Sequence, residues 1–330
     1  MKSILVMGGS DFIGSALAKY LIKSGYKVDI FTPGEKRISY KGFNRHLICD
    51  RIQRDKVKKI LEGKKYEYIF DITAYTKEDV EILIDAIDKD SLKKYIVLSA
   101  GAVYKDCTKR MKEDSEKGKN ENWGDYALKM KEAEDFVISS GIPYVIVRST
   151  YIYGEHNNLY RETYFFDRIE RGEAIPVPRG KSVNNQFIYI GDLVKVFKSL
   201  MNSSRVREDY NVTNPQLISW NELIQTCGEI IGKTPIIKPI DVNKAGCEER
   251  SYFPFMHIDF SLDIDKLIEH GIYIPNILLK EGLTKTYKWY KKSKPKLSDN
   301  KMDKIDFVLK QTQKEGNDDK SIHSELCKQG

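Results

Sequence analysis

The segment Met7-Gly8-Gly9-Ser10-Asp11-Phe12-Ile13-Gly14 constrains this chain most, because it joins an apolar run to an amphipathic one. Residues 4–7 read as a short buried strand, and residues 12–24 carry apolar side chains at helical spacing. The glycines therefore fall at a strand-to-helix turn, where a helix offers its first backbone N–H groups to an anion such as a dinucleotide pyrophosphate. Gly8, Ser10, Asp11, Phe12, Ile13 and Gly14 are the candidate contacts. Asp11 has a second reading, since an aspartate in this place also serves as an ordinary helix N-cap.

The same alternation continues. Residues 28–31, 46–49, 68–71, 95–99 and 144–147 read as strands, separated by helical stretches near 57–61, 80–87 and 125–140. Short apolar strands alternating with helices imply βαβ units, hence a doubly wound α/β domain with a parallel sheet covered on both faces. Beyond Thr150 the pattern loosens. Helices are expected over 161–171, 192–201 (with Asp192 as N-cap), 220–231 and 277–290, a strand over 187–190, and a turn at Pro176–Pro178. This predicts a first domain at 1–149, to which 183–217 returns, a smaller C-terminal α/β substrate lobe from 150–182 and 218–290, and a charged C-terminal extension at 291–330. Met302, Ile305, Val308 and Leu309 keep helical spacing in that extension, which leaves open whether it docks as a helix or stays unstructured.

Composition excludes several classes. Hydrophobic residues at 41% and charged residues at 31% are those of a globular protein. Of the net charge of +7, residues 291–330 supply +3, so the rest of the chain is too nearly balanced to argue for a nucleic-acid partner. Cys49, Cys107, Cys227, Cys247 and Cys327 form no Cys-x-x-Cys pair, and His46, His156, His257, His270 and His323 have no metal-ligand spacing. No apolar run is long enough for a membrane span or a signal peptide, so the expectation is a cytoplasmic protein without a bound metal.

The Gly8–Gly14 loop resembles the Gly-x-x-Gly-Phe-Ile-Gly fingerprint of the extended short-chain dehydrogenase/reductase superfamily, with its NAD-dependent epimerases and dehydratases. Asp11 replaces the family's middle glycine. The resemblance covers about 290 residues, including Arg148-Ser149-Thr150-Tyr151-Ile152-Tyr153-Gly154, Gln186-Phe187-Ile188-Tyr189-Ile190-Gly191-Asp192-Leu193 and Glu281-Gly282-Leu283. It implies a Rossmann fold, NADP or NAD as cofactor, a nucleotide-linked sugar as substrate and a possible homodimer. The loop is most similar to a branch that writes Gly-Gly-x-x-Phe-Ile-Gly and includes chloroplast stem-loop RNA-binding proteins.

Within the family an acidic residue ending the second strand holds the ribose hydroxyls of NAD. Here that place holds Thr32, with Lys36 and Arg37 close behind, which favours the 2′-phosphate of NADP. Asp50, after the third strand, stands where the family touches the adenine. Tyr126 matches the acid/base tyrosine of the Tyr-x-x-x-Lys helix, but Met130 occupies the lysine position. At ~100° per residue, Lys129 lies about 60° to one side of Tyr126 and Met130 about 40° to the other. In Ser99-Ala100-Gly101-Ala102-Val103-Tyr104, Ala100 falls where the family has its catalytic hydroxyl, leaving Ser99 as the nearest substitute. Arg161, Arg168 and Arg179 are candidates for a sugar nucleotide's diphosphate. Two readings remain: an enzyme using Tyr126 with Ser99 and Lys129, or a degenerate family member that binds a ligand or associates with RNA.

Overall fold

The computed structural model describes residues 2–106 and 109–311; Cys107, His323, Cys327 and residues 312–330 of the extension lie outside that range. In chain order the elements begin β1 (Ser3–Met7), α1 (Phe12–Lys23), β2 (Lys27–Thr32), β3 (Arg45–Ile48), α2 (Arg54–Leu61), β4 (Tyr68–Asp71), α3 (Lys77–Ala86), β5 (Lys94–Ala100), α4 (Gly124–Ser139) and β6 (Tyr144–Ser149). There follow β7 (Tyr151–Tyr153), α5 (Glu162–Arg171), β8 (Ala174–Arg179), β9 (Phe187–Tyr189), α6 (Ile190–Asn202) and β10 (Glu208–Val212). The last are α7 (Trp220–Ile231), β11 (Ile236–Asp241), α8 (Asp265–Glu269) and α9 (Leu279–Ser293).

A seven-stranded sheet in the order β10-β6-β5-β4-β1-β2-β3, parallel throughout, forms the frame of the first unit. Its inner strands are buried on both faces because helices cover both: Ile4, Leu5, Val6, Val28, Ile30, Ile96 and Ile146 are all sealed from solvent. This is the Rossmann arrangement that the alternating runs imply. Chain order reverses at β1, which lies between β2 and β4, and such a switch point opens a crevice beyond the carboxyl ends of the strands. That edge carries the loop after β1, the end of β2 and the turn after β4.

Two units share the chain. Met1–Asn158, Asn185–Leu217 and Asp259–Gly282 form the first; Leu159–Asn184, Ile218–Ile258 and the described part of Leu283–Gly330 form the second. This division differs from the sequence-based one at residues 150–158 and 259–282, which join the first unit. There, Leu262 pairs with Met111, and the Gln186 N–H donates to the Phe260 carbonyl at 3.1 Å.

Two local expectations change, and for the described part of the extension an open one is decided. Asp192 does not cap α6, which begins two residues earlier. Its buried carboxylate instead accepts the N–H groups of Asn276 and Ile277 at 2.8 and 2.7 Å and the Tyr273 hydroxyl at 2.7 Å. The expected turn at Pro176–Pro178 is strand β8, paired in parallel with β11 inside the second unit. Because Arg179 presents its carbonyl to Val242 after β11, the odd residues face that partner and both prolines turn their missing N–H outward. In the extension, Met302 and Val308 are buried, Arg250 pairs with Asp299 at 2.7 Å, and the Lys304 N–H donates to the Ser251 carbonyl. Its described part is thus docked on the second unit.

Candidate active site

The loop after β1 is shaped by close backbone approach. Gly8 sits at φ +90°, and a Cβ there would lie 2.2 Å from the Thr73 methyl. A Cβ on Gly14 would lie 1.9 Å from the Gly8 carbonyl oxygen, so α1 can begin here only with glycine. Asp11 is the N-cap of α1: its Oδ1 accepts the Phe12 N–H at 3.0 Å, and its Oδ2 pairs with Lys36. Ser10 and Ile13 are half-buried beside it, while Phe12 packs inward. Tyr40, in the segment joining β2 to β3, donates its hydroxyl to the Gly9 carbonyl at 2.6 Å.

At the end of β2, Thr32 bonds His46 Nε2 at 2.7 Å, and its hydroxyl oxygen accepts the Gly34 N–H at 3.2 Å. Burial lowers the His46 pKa, favouring the neutral ring. Arg37 is exposed nearby in sequence, whereas Lys36 is turned to Asp11. Asp29 lies within β2, buried and bonded by Asn44 and Tyr66, and so faces away from this rim. Asp50 is exposed, its carboxylate accepting the Ile52 N–H at 3.3 Å.

Its neighbour Arg51 has a role that the sequence did not disclose. The guanidinium makes two 2.8 Å bonds to Asp71, one of 2.9 Å to the Thr73 hydroxyl and a 3.2 Å ion pair with Asp79, fastening β4 and α3 beneath the Gly-rich loop. Burial works against its charge, but the Asp71 carboxylate outweighs that and raises its pKa further. No short motif carries this signal, since the partners lie twenty or more residues away.

Helix α4 turns Ala127, Met130, Ala133, Glu134 and Val137 inward. Tyr126 stands on that same face at the head of the helix, where it is 40% exposed, with its ring centroid 6.5 Å from that of Tyr75 in the segment after β4. Lys129 is exposed and Met130 is buried. Ser99 is 4% exposed and donates its hydroxyl to Glu134 at 2.5 Å. Glu134 also receives Arg148 through bonds of 2.7 to 3.1 Å, and Arg148 reaches Tyr104 at 3.0 Å and Asp209 at 2.7 Å. Burial opposes the Arg148 charge, yet Glu134 overcomes it and keeps the guanidinium ionised; burial also opposes the charge of Asp209, which Arg148 and Lys266 hold below the usual carboxylate range. The structure therefore places Tyr126 at the surface and Ser99 inside a buried ionic network.

Residues 4–213 match the model of the NAD dependent epimerase/dehydratase family. The chain belongs to that family. Among relatives, it is 29% identical over 303 residues to the chloroplast stem-loop binding protein of 41 kDa b from Arabidopsis thaliana, covering 87% of this chain and 78% of that one. To the dTDP-D-glucose 4,6-dehydratase of Mus musculus it is 24% identical over 330 residues, covering 88% and 89%. The fold is shared with the UDP-glucose 4-epimerase of Thermotoga maritima, solved with UDP-glucose, at TM-score 0.73 and 21% identity over 89% of this chain and 100% of that one. It is shared likewise with a Bacillus anthracis dTDP-glucose 4,6-dehydratase in complex with NAD, at TM-score 0.73 and 17% identity over 90% and 99%.

For a family member, the glycine cradle fits a dinucleotide in shape: three glycines stand where any side chain would collide with the loop or its neighbours. Among the described residues no group of side chains could hold a metal ion, and no helix is long and apolar enough to cross a membrane. The second unit has a cleft of its own, of about 360 Å³, along β8 and the start of α7, lined by Arg179, Lys181, Ser219, Trp220, Asn221 and His257 among others, with no carboxylate. Of the three arginines expected to meet a diphosphate, only Arg179 lines it. Arg168 bonds the Ala174 carbonyl at 2.7 Å, and Arg161 stacks over Phe255.

Proposed function

We propose that this family member binds NAD(P) at the Gly8–Gly14 cradle and acts on a nucleotide-linked sugar, with Tyr126 as the acid/base. The observation that carries the reading is the exposure of Tyr126 at the head of α4, turned towards Tyr75, while the rest of its helix face is buried. The sugar-nucleotide relatives support the substrate class. A bound nicotinamide would supply the hydride acceptor. Tyr126 would remove the proton from the sugar hydroxyl being oxidised, a role that calls for a cation near the phenol because a tyrosine in water, with a pKa of about 10, holds little phenolate at neutral pH. Lys129 is the nearest lysine in sequence on the exposed side. Ser99 would act by holding Glu134 and Arg148 beneath the helix. Exposed Arg37 would give NADP an advantage at the ribose end. The test is incubation with UDP- and dTDP-sugars plus NAD or NADP, read by product NMR and absorbance at the reduced-nicotinamide band. Tyr126→Phe is expected to lower turnover by about 10²–10⁴-fold with dinucleotide affinity unchanged; full activity of that variant refutes the assignment.

A further inference from the structure

The helix start that would receive a pyrophosphate already holds a carboxylate. Asp11 Oδ1 takes the first N–H of α1, from Phe12, and Oδ2 is paired with Lys36. The segment between β2 and β3 thus closes on the Gly-rich loop twice, through Lys36 on Asp11 and Tyr40 on the Gly9 carbonyl. The two contacts differ in kind. The Tyr40 hydroxyl bond is partly buried, whereas the side chains of Lys36 and Asp11 are 62% and 36% exposed, so their pairing exchanges readily with solvent and other ions. His156 feels the charges of Lys19, Glu155 and Asp11, and Lys19, which also feels Glu155, lies over the Tyr40 ring at 5.6 Å; these are further titratable groups at this rim.

A dinucleotide pyrophosphate makes the same two demands as this carboxylate: a helix N–H and a neighbouring cation. We propose that Asp11 is an internal competitor for the cofactor's pyrophosphate and that Lys36 is the counter-ion passed from one to the other on binding. The carboxylate must give up the Phe12 N–H and Lys36 before phosphate can take them, and its charge remains close by. Dinucleotide affinity is therefore set low by the chain's own side chain, and the cofactor exchanges rather than staying bound. This inference rests on the dinucleotide reading above.

Titration calorimetry of the full chain with NAD, NADP and adenosine tests it. Asp11→Asn keeps an N-cap of equal quality and removes only the charge, so α1 survives. NAD and NADP are expected to bind about fivefold tighter to it, while adenosine, lacking phosphate, is unchanged. Lys36→Gln is expected to weaken both dinucleotides by about fivefold, and the double variant to return to within about twofold of the native value. A pair that merely braces the loop predicts the opposite sign, with Asp11→Asn binding more weakly. That result, or an unchanged affinity, overturns the proposal. If neither the native chain nor folded Asp11→Asn binds NAD or NADP, the dinucleotide reading fails and takes this inference with it.

Discussion

The Gly-rich cradle and helix α4 face the same edge of one sheet, yet they have kept their family patterns to different degrees. The cradle's glycines are demanded by space: with backbone or methyl atoms about 2 Å from any added Cβ, the chain cannot pass this turn otherwise, whatever it binds. The catalytic positions are demanded by chemistry alone. Met130 is buried and Ala100 half-buried, and packing at neither place calls for a lysine or a hydroxyl, so the fold tolerates their presence. Glycine patterns therefore report the path of the backbone, and tyrosine–lysine patterns report what is done with it.

The sharpest way to break this comparison is through the network beneath α4. Arg148→Ala strands Glu134 and leaves Tyr104 and Asp209 without their guanidinium, and breaking such a buried pair is expected to cost about 3–5 kcal/mol in urea unfolding. A loss under about 1 kcal/mol, the range of exposed pairs, would mean that the network is not structural. Met130→Lys acts more gently and in the other direction. An ammonium one turn from Tyr126 stabilises the phenolate, so turnover on a sugar nucleotide is expected to rise about tenfold at neutral pH and the rate profile to move to lower pH. An unchanged profile in a folded variant with bound cofactor would remove Tyr126 from the reaction.

The smallest effect lies at the far end of β5 from Ser99. Lys94 is buried and donates to the carbonyls of Leu200 and Ser203 at 2.7 and 2.8 Å, and burial lowers its pKa to about 8. Between about pH 8 and 10.5 the unfolded chain holds a proton that the folded one releases, so Lys94 contributes stability that grows with pH across that window. Compared with Lys94→Met, the native chain is expected to gain stability from pH 8 to 10; parallel curves would show that Lys94 stays charged inside.

The inner strands of the central sheet were legible because each is buried on both faces and reads as a largely apolar run, as in Ile4–Val6 or Tyr144–Val147. Strands β7, β8, β10 and β11 were not, because Glu208–Val212 and the proline-bearing β8 and β11 carry little such signal. The register of Tyr126 and Met130 could be read because helical periodicity fixes which residues share a face. What Ser99, Asp11 and Lys36 are bonded to could not be read, since Glu134 lies 35 residues from Ser99 and Lys36 lies 25 from Asp11. Local pattern carries no information about which of several nearby charges a side chain will choose.

The outward-turned prolines of β8 have a further consequence for how this protein behaves at high concentration. On that side the main chain has no donors at residues 176 and 178, both prolines are buried and the Ala174 carbonyl is already taken by Arg168, so a strand from another molecule has nothing there to extend. Sheet growth by self-association is blocked there at the level of the main chain, independently of any surface charge. The vulnerable margin is instead β3 at the end of the seven-stranded sheet, where Ile48 is 58% exposed and every residue retains its N–H.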